Sequence, residues 1–74
     1  MSRHGLLDTL QKIHNLDRPE EEYRTVLSRY TDTELTQLEN LTRLEKLTDA
    51  EFALLDRIVK RIYSDLVNLI SAAA

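Results

Sequence analysis

Apolar residues recur along this chain at spacings of three and four, separated by short polar segments, and that rhythm predicts helices throughout. Leu6, Leu7, Leu10 and Ile13 make a narrow stripe that predicts a first helix over residues 3–15, with Leu16 closing it in the linker. Tyr23, Val26, Leu27 and Tyr30 form the inner face of a second helix, expected over 18–29. Asp17 with Glu20 reads as its capping box, and Pro19 is tolerated in a first turn. Glu20, Glu21 and Glu22 sit where the positive end of the helix dipole favours anions.

Thr31 and Glu34 make a further capping box, with Tyr30 and Leu35 at the hydrophobic-staple positions, and open a third helix over 32–46. The same device returns with Thr48 and Glu51, flanked by Leu47 and Phe52. Two boxes mean two helix starts. The chain is therefore expected to break near Leu47 instead of running as one helix to its end.

The fourth helix, expected over 49–71, carries the most regular pattern. Phe52, Leu55, Val59, Ile62, Leu66 and Leu69 alternate steps of three and four, a heptad seam. Ile58, Tyr63, Val67 and Ile70 flank it, so the apolar arc spans roughly half the circumference at about 100° per residue. A rod of this length measures about 35 Å, whereas a compact 74-residue domain is roughly 30 Å across. Two shorter helices are not expected to cover it. Part of the arc, including Leu55, Ile58, Val59, Ile62, Leu66, Leu69 and Ile70, is therefore expected to form a partner interface, most simply with a second copy. In the third helix, Leu35, Leu38, Leu41, Leu44 and Leu47 step strictly by three, which winds them around an α-helix, so this helix either touches two different surfaces or packs loosely at its end; Leu41 and Leu44 join the expected interface.

Together these elements predict an all-α fold: one domain over residues 1–74, a small bundle of four helices with a long C-terminal helix. Composition sharpens this. A single Gly and a single Pro leave little turn chemistry for a β-protein, and the absence of Cys excludes disulfides and thiolate metal sites. A formal charge of −3, from 13 acidic and 10 basic residues, argues against binding nucleic acid by charge. Arg57, Lys60 and Arg61 nevertheless form a small basic strip, which gives a weak contact with DNA backbone as the third-ranked reading. No run reaches the ~18 apolar residues of a membrane span. No leader pattern is seen either, so a cytoplasmic location is expected.

Reactive chemistry is not expected. His4 and His14 lie too far apart for the usual metal clustering, the serines lack a Ser/His/Asp arrangement, and Gly5 alone makes no phosphate loop. We expect no catalytic residue, cofactor or metal.

The first two-thirds of the chain resembles a known family. Leu6-Leu7, Lys12-Ile13, Leu16, Glu20, Tyr23 and Thr31-Asp32, followed by Arg43-Leu44 and Leu47-Thr48, fall in an order similar to the Hha/YmoA family. Those small helical proteins of enteric bacteria and plasmids bind the dimerisation region of the nucleoid protein H-NS and modulate gene silencing. The resemblance covers residues 6–48 and implies a shared fold there, with a nucleoid-associated or transcription protein as partner. The family docks through an Asp-His-Arg stretch, and here Asn40-Leu41-Thr42-Arg43 stands in its place, leaving Arg43 as the matching charged contact. The C-terminus departs from the family. Three functions follow in order: a non-enzymatic interaction module regulating gene expression through protein contacts; a phage or plasmid accessory protein self-associating, as a dimer, through the 52–69 seam; and the weak DNA-backbone binder.

Overall fold

The computed structural model describes residues Arg3–Ala73. Four α-helices and one 3-10 segment follow in order: α1 (Arg3–Asn15), α2 (Glu20–Leu27), α3 (Asp32–Gln37), the 3-10 segment Leu38–Lys46, and α4 (Asp49–Ala73). No strand occurs among the described residues. The expected all-α bundle with a long C-terminal helix is what forms.

Both later capping boxes are present. The Thr31 hydroxyl accepts from the Glu34 amide at 3.2 Å, while Glu34 Oε1 accepts from the Thr31 amide at 3.0 Å. Thr48 and Glu51 repeat this at 3.2 and 3.1 Å. Leu47 is extended (φ −77°, ψ 143°), so the chain breaks where the second box requires. Its side chain is buried with Phe52 in one cluster, as a staple demands.

The start of α2 differs from expectation. Asp17 does not cap it; Asp17 has φ 47° and ends α1 in the left-handed region, which Asp tolerates better than most residues. Pro19 takes the N-cap position with no side-chain bond, and α2 spans eight residues. The residue before a proline is pushed away from helical geometry, so a helix over 18–29 is blocked at its first residue. The Arg18 guanidinium steadies the turn instead, reaching Glu22 with two bonds at 2.7 and 2.8 Å.

The third helix is also corrected. Only Asp32–Gln37 is α-helical; Leu38–Lys46 is 3-10, interrupted at Arg43 (φ −132°, ψ 31°). With three residues per turn, side chains at i and i+3 eclipse. The leucines that would spiral around an α-helix therefore line up: Leu38, Leu41 and Leu44 all meet the cluster of Leu6, Leu47, Phe52, Leu55 and Val59. A second row at the same spacing is polar. The Asn40 amide, buried, donates to Gln37 Oε1 at 2.9 Å, and Arg43 donates to Asn40 Oδ1 at 2.6 Å, bridging the interruption. The third row, Thr36, Glu39, Thr42 and Glu45, faces solvent.

The core runs along α4 as two clusters. The first joins Phe52, Leu55 and Val59 to α1 and the leucine row; the second joins Ile58, Ile62 and Leu66 to Val26 and Tyr30, with Tyr23, Leu27 and Leu35 at its margin. Ile13 and Leu38 touch both. The molecule measures 39 × 25 × 16 Å. The longest dimension is the ~37 Å of a 25-residue helix, and the shortest is close to one interhelical spacing plus a backbone width, hence two layers of helix.

Candidate protein-binding surface

The two-cluster core overturns part of the interface expected from sequence. Leu55, Ile58, Val59, Ile62 and Leu66 are all buried within the monomer, Leu55 and Leu66 completely. The premise of a near-spherical domain fails: α1 with the 3-10 segment covers the first half of α4, and α2 with α3 covers the second, so short helices share the length. The heptad seam is internal. Leu41 and Leu44 are half-buried against the first cluster, and Leu69 is half-buried against the second. Ile70 is half-buried and belongs to neither cluster.

The basic strip is largely committed. Lys60 pairs with Asp56 at 2.8 Å. Arg61 reaches Glu34 at 2.9 Å, and its guanidinium lies 5.0 Å from the centre of the Tyr30 ring. Tyr30 donates its hydroxyl to Asp65 at 2.8 Å. This network ties the end of α2 and the start of α3 to α4. Burial, then the bond to Asp65, pushes the Tyr30 hydroxyl up to about 12. The Thr31 amide, followed by the Thr31 hydroxyl and Arg61, holds Glu34 below the usual carboxylate range despite an opposing effect of burial. Of the three cations, Arg57 has no ion pair or hydrogen bond among the described residues. A strip whose members are mostly occupied by internal pairs presents little free charge to a phosphate backbone.

An open groove of about 700 Å³ separates the α3–3-10 segment from the first turns of α4. One wall carries Gln37, Asn40 and Arg43, the polar row of the 3-10 segment; the other carries Ala50, Glu51 and Leu54. Thr36, Glu39 and Thr42 form the rim. Leu54 is 41% exposed, one of two large apolar side chains so open among the described residues, the other being Leu7 on α1. Glu51 is held below its ordinary range by the Thr48 amide first, then the Thr48 hydroxyl, with Arg43 adding a smaller attraction. The surface thus offers an exposed leucine, a guanidinium fixed at one point by Asn40, and amide and hydroxyl groups for hydrogen bonds. Such groups are able to pack and hydrogen-bond against another chain.

The family resemblance singles out Arg43, which lies on this surface, but not Leu54. Its signal was position: Leu54 precedes the seam residue Leu55, so about 100° of rotation carries it off the buried arc. Among the described residues no group of three or more His, Asp or Glu side chains is placed to hold a metal, and no helix is long and apolar enough to cross a membrane. The chain matches no family model, no curated protein and no solved structure.

Proposed function

We propose that the chain is a non-enzymatic protein-interaction module, a small regulatory factor whose partner docks in the groove between the 3-10 segment and α4. The observation that carries this is Leu54, exposed on the groove wall opposite Arg43. Exposed apolar side chains beside oriented polar groups are the makings of an interface centre. A partner helix that sets an apolar side chain on Leu54 and a carboxylate on Arg43 suits both walls. The Hha-like reading supports the same place, because Arg43 is the charged residue of the family's docking stretch that this chain retains. On that reading the partner is a nucleoid-associated protein of the H-NS type, and regulation acts through protein contacts with no base readout by this chain.

The test is a titration of the H-NS dimerisation region into isotope-labelled protein. Shifted resonances confined to residues 36–43 and 50–54, with binding weakened about tenfold or more by Leu54→Asp and by Arg43→Glu, support the proposal; tenfold corresponds to about 1.4 kcal/mol. Resonances unmoved at millimolar partner reject the nucleoid-protein version. Binding that both substitutions leave intact rejects the groove.

A further inference from the structure

The geometry that lines up the leucines also builds a relay on the groove wall. Gln37, Asn40 and Arg43 follow in steps of three, and in a 3-10 segment side chains so spaced come together. Chemistry sets the direction of the relay. A guanidinium only donates, so it must meet the carbonyl end of the Asn40 amide, and Arg43 Nη2 does so at 2.6 Å. The nitrogen of that amide then needs an acceptor and finds Gln37 Oε1 at 2.9 Å. Asn40 is only 8% exposed, so water does not readily replace these partners. Both side-chain carbonyls of the row are thereby engaged. What the row has left to offer the groove is donors: the Gln37 amide nitrogen and most of the Arg43 guanidinium.

We infer that this relay is a carboxylate-binding site, with Arg43 holding the carboxylate and Asn40 as the residue that positions Arg43. The inference rests on the groove reading and names the group a docking partner must supply, an aspartate or glutamate side chain. Three observations select it. First, donor count: a guanidinium offers two forks of paired N–H groups, and the two hydrogens of Nη2 belong one to each. Asn40 occupies one hydrogen, so one fork stays whole for bidentate binding of a planar carboxylate. Second, availability: Arg43 is exposed and, among the described residues, has no ion pair and no other hydrogen bond. Glu51, across the groove, attracts it through space, but the Glu51 bonds go to the Thr48 amide and hydroxyl. Third, order: the bond to a buried amide restricts a long side chain before any ligand arrives, which lowers the entropy cost of binding. Arg57, exposed and without such a partner among the described residues, has no comparable restraint. Glu39 on the rim and Glu51 on the wall disfavour a more highly charged anion such as phosphate.

The experiment reads the Arg43 and Arg57 side chains of the full chain by nitrogen NMR, first without a partner. The Arg43 Nε–H should be the more ordered of the two. Acetate added at constant ionic strength should move the Arg43 signal further than the Arg57 signal, and further than chloride or inorganic phosphate moves it. Asn40→Ala should bring both the order and the acetate response of Arg43 down to those of Arg57. The second arm uses the H-NS dimerisation region. Arg43→Lys keeps the charge and loses the fork, and should weaken binding about tenfold. Asn40→Ala, with its helical circular dichroism retained, should weaken it about two- to tenfold. An Arg43 no more ordered than Arg57, a larger response to phosphate than to acetate, or full affinity in both Arg43→Lys and Asn40→Ala overturns the inference. The acetate arm needs no protein partner. A selective response there, with no binding of the H-NS region, upholds the carboxylate site and rejects the nucleoid-protein reading alone.

Discussion

Tyr30 is the joint most sensitive to a single-atom change. Its ring is buried at 7% exposure in the second cluster, while its hydroxyl donates to Asp65 thirty-five residues away. Tyr30→Phe keeps the ring, the hydrophobic burial and the Arg61 contact over its face, and removes only that donor. Hydrogen bonds to charged groups contribute about 1.5–3 kcal/mol. Asp65 is half-exposed and regains water when the hydroxyl is gone, so we expect the low end, about 1–2 kcal/mol. In a domain this size each kcal/mol moves the midpoint by about 4–8 °C, so Tm should fall by roughly 5–15 °C. The pH dependence is a sharper check. The folded hydroxyl titrates at about 12, above the ordinary tyrosine value of about 10. A group raised in the folded state contributes fully below its unfolded value and is lost as pH climbs through the folded one. The stability gap between the parent and Tyr30→Phe should hold steady to about pH 10 and close toward pH 12. Urea unfolding at stepped pH measures it. In a double-mutant cycle, Asp65→Asn should cost little more once Phe is present. A parent and variant with the same midpoint would refute a working Tyr30–Asp65 bond, and a gap that persists unchanged to pH 12 would refute the raised hydroxyl that burial, then Asp65, produces.

Three further outcomes follow. Asp17→Gly should stabilise the chain by about 0.5–1 kcal/mol, read as a higher urea midpoint, because glycine takes φ 47° without the cost of a Cβ. Acid should destabilise the fold: Glu22 is held low by Arg18, Glu34 by Thr31 and Arg61, and Glu51 by Thr48. Groups depressed in the folded state contribute above the unfolded value of about 4.3 and lose that contribution as pH falls through the folded one, so Tm should drop below about pH 4, and less steeply in Glu51→Gln. Ile62→Asp should abolish cooperative thermal unfolding, since it buries an unpaired charge in the second cluster; a variant that keeps its helicity and Tm while losing mass would restore the seam as an interface.

What the sequence disclosed depended on whether the signal was local. The boxes at Thr31 and Thr48 need only residues three apart, and both form as read, staples included. The Asp17 box failed for an equally local reason that was present in the sequence: it makes Arg18 the first helical residue, and Pro19 keeps Arg18 out of helical geometry. The leucine row shows a subtler limit. Steps of three wind around a helix of 3.6 residues per turn. Only a 3-10 segment makes a strict period of three one-sided. The polar row Gln37, Asn40 and Arg43, in register with the leucines, was the corroborating signal.

The groove and the seam diverge for a reason of geometry. Whether an apolar arc on α4 is core or interface depends on how the other helices are laid along it, which no spacing within α4 encodes. An estimate from a sphere gave too little cover, because it assigned each short helix the whole of α4 to bury. The chain instead sets them in pairs along its length, and Ile13 and Leu38 serve both clusters where the pairs meet. This arrangement hides the regular seam and displaces the exposed apolar groups to residues out of register with it. Leu54, exposed, lies one step before a seam position, whereas Tyr63, Val67 and Ile70, each one step after, are half-buried. A helix covered by neighbours on one arc has two flanks. In α4 these flanks carry different chemistry: one lies beside the Arg43 guanidinium and the Asn40 amide, the other carries Tyr63, Val67 and Ile70. Leu54→Asp should therefore weaken partner binding while leaving the midpoint of thermal unfolding nearly unchanged, and that separation distinguishes a docking surface from an incomplete core.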